Sequence, residues 1–146
     1  MSDQGDFVEG ALHHVWGARA EQHLPGMSMT VRDGDVGFLT FYSDEYVKWS
    51  SIVKVDVRIN AELLELVAEM NKGLPVGSLT VKPDGLIMWS YKVLPQWIDT
   101  DSRTSAQMLA DVCTNVPNFV RMCRQRLENS GGAPYTPNEI GALMFL

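Results

Sequence analysis

The segment LPVGSLTVKPDGLIMWSYKVL, residues 74–94, carries the strongest structural signal in the sequence. Within it, two runs, 79–82 and the largely apolar 86–93, flank a Pro-Asp-Gly tripeptide at 83–85. Proline presets the backbone angle that opens a tight turn, and glycine tolerates the positive φ that some turns require. The segment therefore predicts a β-hairpin.

Three further strands are predicted before this hairpin. Residues 27–32 alternate apolar and polar side chains, as a half-buried strand does, and residues 36–42 are apolar on both sides, as in a central strand. Residues 52–59 alternate most regularly, with valine and isoleucine on one side and charged residues, including Lys54, on the other. We expect this strand to turn its apolar side to the core and its charged side to water.

Three helices are predicted from apolar residues that recur at the spacing of one helix face. The first covers residues 7–22, and the second begins after Asn60, which is placed to cap it, and ends near Gly73. The third covers residues 102–128 and contains Pro117. Proline removes one helical hydrogen bond and clashes with the preceding turn, so we expect it to kink or break this helix.

The chain divides into one domain and a short tail. A Ser-Gly-Gly run ends the last helix, so residues 1–132 are expected to form a single α+β domain and 133–146 a C-terminal tail. Residues 136–139, Thr-Pro-Asn-Glu, form a helix-capping sequence, which predicts a short apolar helix over 140–146. The element order α-β-β-β-α-β-β-α predicts an α+β fold with an antiparallel sheet and flanking helices.

The composition is that of one ordinary soluble domain, and it disfavours several classes of function. The chain has 146 residues, 45% of them hydrophobic, and its 18 Asp+Glu against 12 Lys+Arg give a net charge of -6. Nucleic-acid binding depends on a basic face, which an acidic chain disfavours. A membrane-spanning helix needs about 18 apolar residues in a row, and the sequence has no such run. The first residues are acidic, unlike a secretory signal, and the two cysteines form no CxxC pair. These features predict a cytoplasmic protein with neither nucleic-acid nor membrane partners.

The sequence contains no motif that indicates catalysis. The zinc-protease, serine-hydrolase, dinucleotide and phosphate-loop motifs are all absent. The adjacent His13 and His14 would point about 100° apart on a helix, which does not suit a shared metal. Acidic pairs beside turns are explained by turn formation and capping; these pairs are Asp33 and Asp35, Asp44 and Glu45, and Asp99 and Asp101. We therefore predict no catalytic residue, no metal and no cofactor, and a protein that is not an enzyme.

One mixed face of the predicted sheet is the candidate partner-binding surface. If the side that carries Val53 faces the helices, the opposite side holds mainly serine, threonine and lysine. Four apolar side chains are expected among them: Phe38, Tyr42, Leu86 and Met88. Such a patch often marks a protein contact, and methionine adapts to varied partners. Cover by a loop, by the last helix or by the tail explains the patch equally well.

The element order, the run GLPVGSLTV at 73–81, the turn at 83–85, the strand at 86–93 and the long last helix together resemble the bacterial YbjN family. That family is grouped by fold with the type III secretion chaperones. The resemblance covers residues 7–128, and it implies a domain, often a homodimer, that binds peptide segments or partner proteins without catalysis. The family offers no catalytic residues to transfer, and Pro117 and the apolar tail depart from its pattern.

These observations leave three hypotheses for the function. The first is a non-catalytic chaperone-like or regulatory module, acting as a homodimer, that binds a protein segment through strand-edge pairing and apolar pockets on the sheet. The second is a small-molecule-binding sensor or enzyme with a cleft between helices and sheet, near Trp49, Trp89 and Trp97. The third is a structural subunit whose tail, 140–146, docks on a second copy. The patch and the resemblance both favour the first.

Overall fold

A computed structural model describes residues 3–24, 26–43, 45–94 and 103–135. Within these ranges the chain forms α1 (Asp3–Trp16), α2 (Ala61–Gly73) and α3 (Arg103–Arg126). The strands are β1 (Ala20–Leu24), β2 (Ser28–Asp33), β3 (Val36–Tyr42), β4 (Val47–Lys54), β5 (Ser78–Val81) and β6 (Ile87–Val93). The predicted tail helix at 140–146 lies outside the described residues. Of the helices in the described ranges, none has the length and apolar character that a membrane crossing requires.

All six strands belong to one antiparallel sheet with the order β1-β2-β3-β4-β6-β5. The α+β class and the order of the predicted elements are confirmed. Strand β1 is an addition, because residues 20–22, which helical spacing assigns to the first helix, pair with β2 instead. The helix ends at Trp16 because Gly17 follows with a φ of 57°, which a right-handed helix cannot accommodate.

The predicted hairpin is confirmed, since β5 and β6 pair in antiparallel fashion around the turn. Gly85 has a φ of 84°, as the turn requires. A Cβ at this position would lie 2.7 Å from the carbonyl oxygen of Val57, closer than real side chains approach. The Val57 N–H in turn donates to the Gly85 carbonyl at 3.0 Å. Glycine is therefore needed both for the turn and for its contact with the chain after β4.

The strand predicted at 52–59 is wrong in its bounds, since β4 covers Val47–Lys54. The register against β6 shifts between Ile52 and Lys54, and Asp56 adopts a φ of 56°, so regular pairing stops. Alternation alone does not reveal such an irregularity. Val57 is still buried, but the last residue of the predicted strand, Ile59, is 40% exposed.

Lys54 is buried, contrary to the expectation that it faces water. Lys54 is 5% exposed, and its Nζ donates a hydrogen bond to the carbonyl oxygen of Leu127 at 2.7 Å. That carbonyl lies just beyond the last residue of α3, where helix carbonyls carry partial negative charge. Burial lowers the pKa of the Lys54 ammonium, and the charge of Glu128 offsets part of this effect. The side chain therefore joins the end of β4 to the end of α3.

Helix α2 begins as its sequence predicts. The Asn60 side chain accepts a hydrogen bond from the Leu63 N–H at 2.8 Å, which confirms the cap. Leu63, Val67 and Met70 are buried, but Leu64 is 48% exposed and does not belong to the apolar side. The helix packs beside the edge strand β5.

One hydrophobic core joins all three helices to the same face of the sheet. It includes Leu12 from α1, Val67 from α2 and Leu109 from α3, together with Val31 and Trp89 from the sheet. The opposite face, which we call the open face, carries no helix of the described ranges. The molecule therefore has two layers, one of helices and one of sheet.

Pro117 does not end α3, which continues as one helix from Arg103 to Arg126. A proline at this position cannot donate to the carbonyl four residues earlier, that of Cys113. The indole Nε1 of Trp16, on α1, donates to this carbonyl at 3.0 Å. The expected break is absent, and the freed acceptor is satisfied by a side chain from a neighbouring helix. Pro117 thereby provides a specific attachment point between α1 and α3.

We predict that Trp16→Phe lowers the free energy of unfolding by about 1–2 kcal/mol, because it leaves the Cys113 carbonyl without its donor. In a Pro117→Ala background the helix supplies its own N–H to that carbonyl, so the same substitution should cost clearly less. Urea denaturation of the four proteins of this double-mutant cycle measures the coupling. Equal costs in both backgrounds would show that Trp16 stabilises the chain by packing alone.

Candidate functional site

The strand registers define which side chains lie on the open face. Ile52 is paired with Met88, and Ser50 is paired with Ser90 on one side and with Leu39 on the other. Paired residues project to the same side of a sheet, as do residues two apart in a strand, so all five side chains lie on the open face. The neighbouring positions on the same side are mostly polar: Thr30, Phe41, Lys48, Thr80 and Lys92. The mixed polar and apolar character predicted for this face is therefore present.

Two of the four predicted patch residues lie on this face and two do not. Leu86 and Met88 belong to a small cluster with Ile52, separate from the main core. Phe38 and Tyr42 belong to the main core, where they are 0% and 3% exposed. Their placement on the open face is wrong.

The error has a simple physical origin in β3, which is apolar on both sides. Register decides which side meets the helices, and Phe38 is paired with Val31 of the core. Leu39 and Phe41, the alternate positions, therefore lie on the open face. The sequence of β3 alone does not show whether Phe38 or Leu39 faces the helices. Pairing with the neighbouring strands decides which side of β3 is turned toward the core.

Phe38 and Tyr42, the two predicted patch residues that lie in the core, both contact α1. Tyr42 donates a short hydrogen bond through its hydroxyl to a carboxylate oxygen of Glu9 on α1. Burial, followed by the hydrogen bond and charge of Glu9, raises the pKa of the Tyr42 hydroxyl. Phe38 lies edge-on to the Trp16 ring, with centroids 6.1 Å apart. Both side chains therefore hold α1 on the sheet.

The chain after α3 crosses to the open face and covers part of it. Tyr135 is 5% exposed and packs with Leu86 and Met88. Ala133 exchanges backbone hydrogen bonds of 2.9 and 3.0 Å with Val55. Gly132, with a φ of 69°, makes this approach possible, because a Cβ there would lie 2.5 Å from the Val55 carbonyl oxygen. Part of the predicted patch is thus covered by the first residues of the predicted tail.

A groove of about 190 Å³ lies beside this cluster on the open face. Its lining combines two lysines, three hydroxyl side chains and two large apolar side chains: Phe41, Lys48, Ser50, Thr80, Lys82, Met88 and Ser90. Of the described residues that line it, none is acidic. In a chain with a net charge of -6, this is a local concentration of positive charge. The groove is suited to a segment that combines a carboxylate with an apolar side chain.

The two edges of the sheet differ in their availability. At the β5 edge, the Asn71 side chain accepts from the Leu79 N–H at 2.6 Å and donates to its carbonyl at 3.0 Å. Asn71 therefore takes the place of a neighbouring strand at that residue, which blocks pairing with another chain there. The other edge strand, β1, has exposed residues at Glu21, Gln22 and Leu24. Strand-edge pairing, if used, would involve β1 rather than β5.

A second concavity lies between α3 and the sheet. It has a volume of about 610 Å³, and its lining comes from the start of α3, from β6 and from the loop before β5. Tyr91 lines this cleft, and its ring stacks on Trp49 with centroids 5.8 Å apart. Trp89 instead stacks on Phe119 at 5.7 Å. Trp97, the third tryptophan of the predicted cleft, lies outside the described residues.

The Asp33 and Asp35 pair forms a network with two arginines of α3. Arg121 donates to Asp33 Oδ2 at 3.0 Å and to Asp35 Oδ1 at 3.1 Å. Arg124 donates to the Asp35 carbonyl at 2.8 Å and to the Val53 carbonyl at 3.0 Å. The acids therefore fasten the β2–β3 turn to α3. Asp44, Asp99 and Asp101 of the other acidic pairs lie outside the described residues.

We predict that Asp35→Asn reduces the loss of stability on acidification. Burial alone would raise the pKa of the Asp35 carboxyl, but the Arg121 hydrogen bond and the charges of both arginines outweigh it and leave the pKa below its usual 3.8. A carboxyl with a lowered pKa in the folded state stabilises the protein above its unfolded pKa and loses that contribution as the pH falls through the folded pKa.

Because Asp35 is mostly exposed, the cost of Asp35→Asn at pH 7 should be below about 1 kcal/mol. Urea denaturation of parent and variant at pH 7, 5 and 3 measures the difference. The variant should lose less stability than the parent between pH 5 and pH 3. Parallel losses in the two proteins would contradict this role.

The two cysteines are buried free thiols. Burial raises the pKa of the Cys113 thiol to about 12 and that of the Cys123 thiol to about 11. Both are therefore protonated at neutral pH and poor nucleophiles. His13 is exposed and its ring Nδ1 lies 3.4 Å from the Gly17 carbonyl. Within the described ranges, no group of three or more His, Cys, Asp or Glu side chains is arranged to hold a metal ion.

Comparison with known proteins gives a relationship at the level of fold. No protein-family model matches the sequence, and no curated protein is significantly similar to it. A chain of the heterodimeric complex ExoU–SpcU, from the type III secretion system of Pseudomonas aeruginosa, matches with a TM-score of 0.51. The likeness shows that this chain shares its α+β fold with that chain. The match covers 82% of this chain and 93% of that chain, with 13% sequence identity.

Proposed function

We propose that this chain is a non-catalytic, chaperone-like module that binds a segment of a partner protein in the groove on its open face. The lining of that groove carries the proposal. Lys48 and Lys82 supply positive charge, Phe41 and Met88 supply apolar surface, and hydroxyl side chains supply hydrogen-bonding groups. Such a mixture recognises a peptide segment with acidic and apolar residues. The likeness to one chain of a heterodimeric complex supports the fold on which this proposal rests.

Several finer features belong to the same proposal. We propose membership in the bacterial YbjN family, since the hairpin segment and the long last helix resemble it. We also propose that the chain acts as a homodimer, as that resemblance implies. A cytoplasmic location is supported by the buried free thiols of Cys113 and Cys123. That the chain is not an enzyme is supported by the raised pKa of both thiols and by the structural roles of Asp33 and Asp35.

We predict that reversing the charge of the groove abolishes partner capture. The full chain, the variant Lys48→Glu/Lys82→Glu and the control Lys72→Glu serve as baits in a bacterial cytoplasmic extract, with mass spectrometry as the readout. Lys72 is an exposed lysine on α2, away from the open face. A partner that the parent and the control capture should fall at least tenfold with the groove variant, which corresponds to about 1.4 kcal/mol.

Both possible failures of this experiment are informative. Equal capture by all three baits would exclude the groove as the binding site. Absence of any specific partner for the parent would count against a binding module altogether. The Lys48→Glu/Lys82→Glu variant changes two side chains that are not part of the core, so its fold is expected to persist, and circular dichroism verifies this.

The cleft between α3 and β6 supports a second candidate, a small-molecule sensor or enzyme. Its volume of about 610 Å³ lies within the range of small-molecule sites. A ligand that contacts Tyr91 would change the environment of the stacked Trp49 ring and hence its fluorescence. Titration with a panel of metabolites should therefore shift tryptophan emission, and Met108→Lys, which places a positive charge on the cleft lining, should abolish the shift. Unchanged emission across the panel would count against this function.

A further inference from the structure

The strand registers order the lining of the groove along a diagonal that crosses from β3 to β5. The lining falls into successive steps, of which all but the last are pairs of neighbours in the sheet: Phe41 with Lys48, Ser50 with Ser90, Met88 with Thr80, and finally Lys82. Each step lies two residues further along the strands than the step before it. The two lysines therefore stand at opposite ends of the groove, with hydroxyl side chains between them.

Strand geometry sets the separation of these two lysines. Ile52 lies opposite Met88, and Met88 lies opposite Thr80. Lys82, which follows Thr80 by two residues, is therefore level with a point about six residues past Lys48 on β4. That length rises about 20 Å, and the two strand spacings from β4 to β5 add about 10 Å sideways, which gives about 22 Å between the two Cα atoms. The flexible stems of the lysines let their ammonium groups lie closer than this.

The positive charge of the groove is concentrated at its two ends. Within the described part of the chain, neither Lys48 nor Lys82 forms an ion pair. The strands β3, β4, β5 and β6 contain no acidic residue. Lys92 is paired with Lys48 in the sheet, but its Nζ lies over the Tyr46 ring, 4.7 Å from the centroid. The two groove lysines are thus positioned to receive anionic groups from a ligand.

The edges of the sheet are less suited to a partner segment than its open face. At the β5 edge, Asn71 occupies both backbone groups of Leu79. At the β1 edge, the register against β2 shifts between Gln22 and Leu24. Such a bulge interrupts the row of backbone groups that an added strand needs. A segment that binds in the groove therefore lies across the strands and does not extend the sheet.

We propose that the partner segment crosses the open face in extended form and carries two acidic residues about six residues apart, one for each end of the groove. This inference rests on the proposed function and names the sequence pattern that the groove recognises. One carboxylate pairs with Lys48 and the other with Lys82, while apolar side chains between them contact Phe41 and Met88. Charge complementarity at two separated points selects for spacing, because a segment with both acids at one end leaves the other ammonium unpaired.

The test measures how strongly synthetic peptides protect the lysines of the full chain from an acetylating reagent, with mass spectrometry as the readout. The spaced peptide carries two aspartates about six residues apart, with leucine and serine between them. The clustered peptide has the same composition with its aspartates adjacent, and the neutral peptide has asparagine in both places. Lys92, beside the groove, and Lys72, whose side chain is 74% exposed on α2, are internal references.

We expect the spaced peptide to slow the acetylation of Lys48 and Lys82 together by at least about threefold once most molecules are occupied. The clustered peptide should protect at most one of these lysines, the neutral peptide neither, and both reference lysines should react as before. Equal protection of the two groove lysines by the spaced and the clustered peptides would overturn the proposal. Equal protection of Lys92 would do the same, since the attraction would then be one of general charge.

Two further outcomes would also overturn the proposal. One is the absence of protection by any peptide at millimolar concentration. The other comes from a single-stranded oligonucleotide, which serves as a competing polyanion. If it protects Lys48 and Lys82 at lower concentration than the spaced peptide does, the open face recognises nucleic acid.

Failure of this inference is distinguishable from failure of the proposed function, because peptide protection and partner capture are separate measurements. If capture depends on Lys48→Glu/Lys82→Glu but spacing has no effect, the groove remains the binding site and the pattern with two separated acids fails. If the spaced peptide protects both lysines while capture is insensitive to the same double substitution, the pattern stands and the captured partner binds elsewhere.

Discussion

The hydrogen bond from Trp16 to the Cys113 carbonyl fixes how α1 and α3 pack together on one face of the sheet. Pro117 withholds the N–H that would normally satisfy this carbonyl, and Trp16 on α1 provides one at 3.0 Å. The indole of Trp16 also contacts Phe38, so α1, α3 and the middle of the sheet are joined through one side chain. A residue that usually disrupts helices thus gives α3 a specific partner. Because the helices are held on one face, the other face remains for other contacts.

The end of α3 determines how the chain reaches that open face. Arg124 donates hydrogen bonds to the carbonyls of Asp35 and Val53. Its Nη2 also donates to the Tyr135 carbonyl oxygen at 3.5 Å. Lys54 donates to the Leu127 carbonyl from the other side. These cations satisfy acceptors at places where regular pairing stops, which is why they are tolerated in partly buried positions. Their combined effect is to lead the chain after α3 past the end of β4 toward Met88.

The open face is mixed in character, and the β5 edge of the sheet is closed. Its groove is small, positively charged and only partly apolar, in contrast to the large apolar pockets typical of small-molecule sites. Asn71 closes the β5 edge by bonding both backbone groups of Leu79, which limits uncontrolled strand pairing. The fold is shared with a chain of the ExoU–SpcU complex, and at 13% identity the likeness is one of fold.

Local chemistry was sufficient for those parts of the protein that depend on a few neighbouring residues. The Pro-Asp-Gly turn and the Asn60 cap follow from backbone preferences and short-range hydrogen bonds, and both are confirmed. The face of β3 was not predictable, because both sides are apolar and only pairing with β2 and β4 places Phe38 inside and Leu39 outside. The continuity of α3 through Pro117 depended on a donor 97 residues away in sequence. The face of β3 and the continuity of α3 were therefore decided by tertiary structure. The physical reason is that strand pairing and the hydrogen bonding of buried acceptors join residues that are far apart in sequence, which no local pattern encodes.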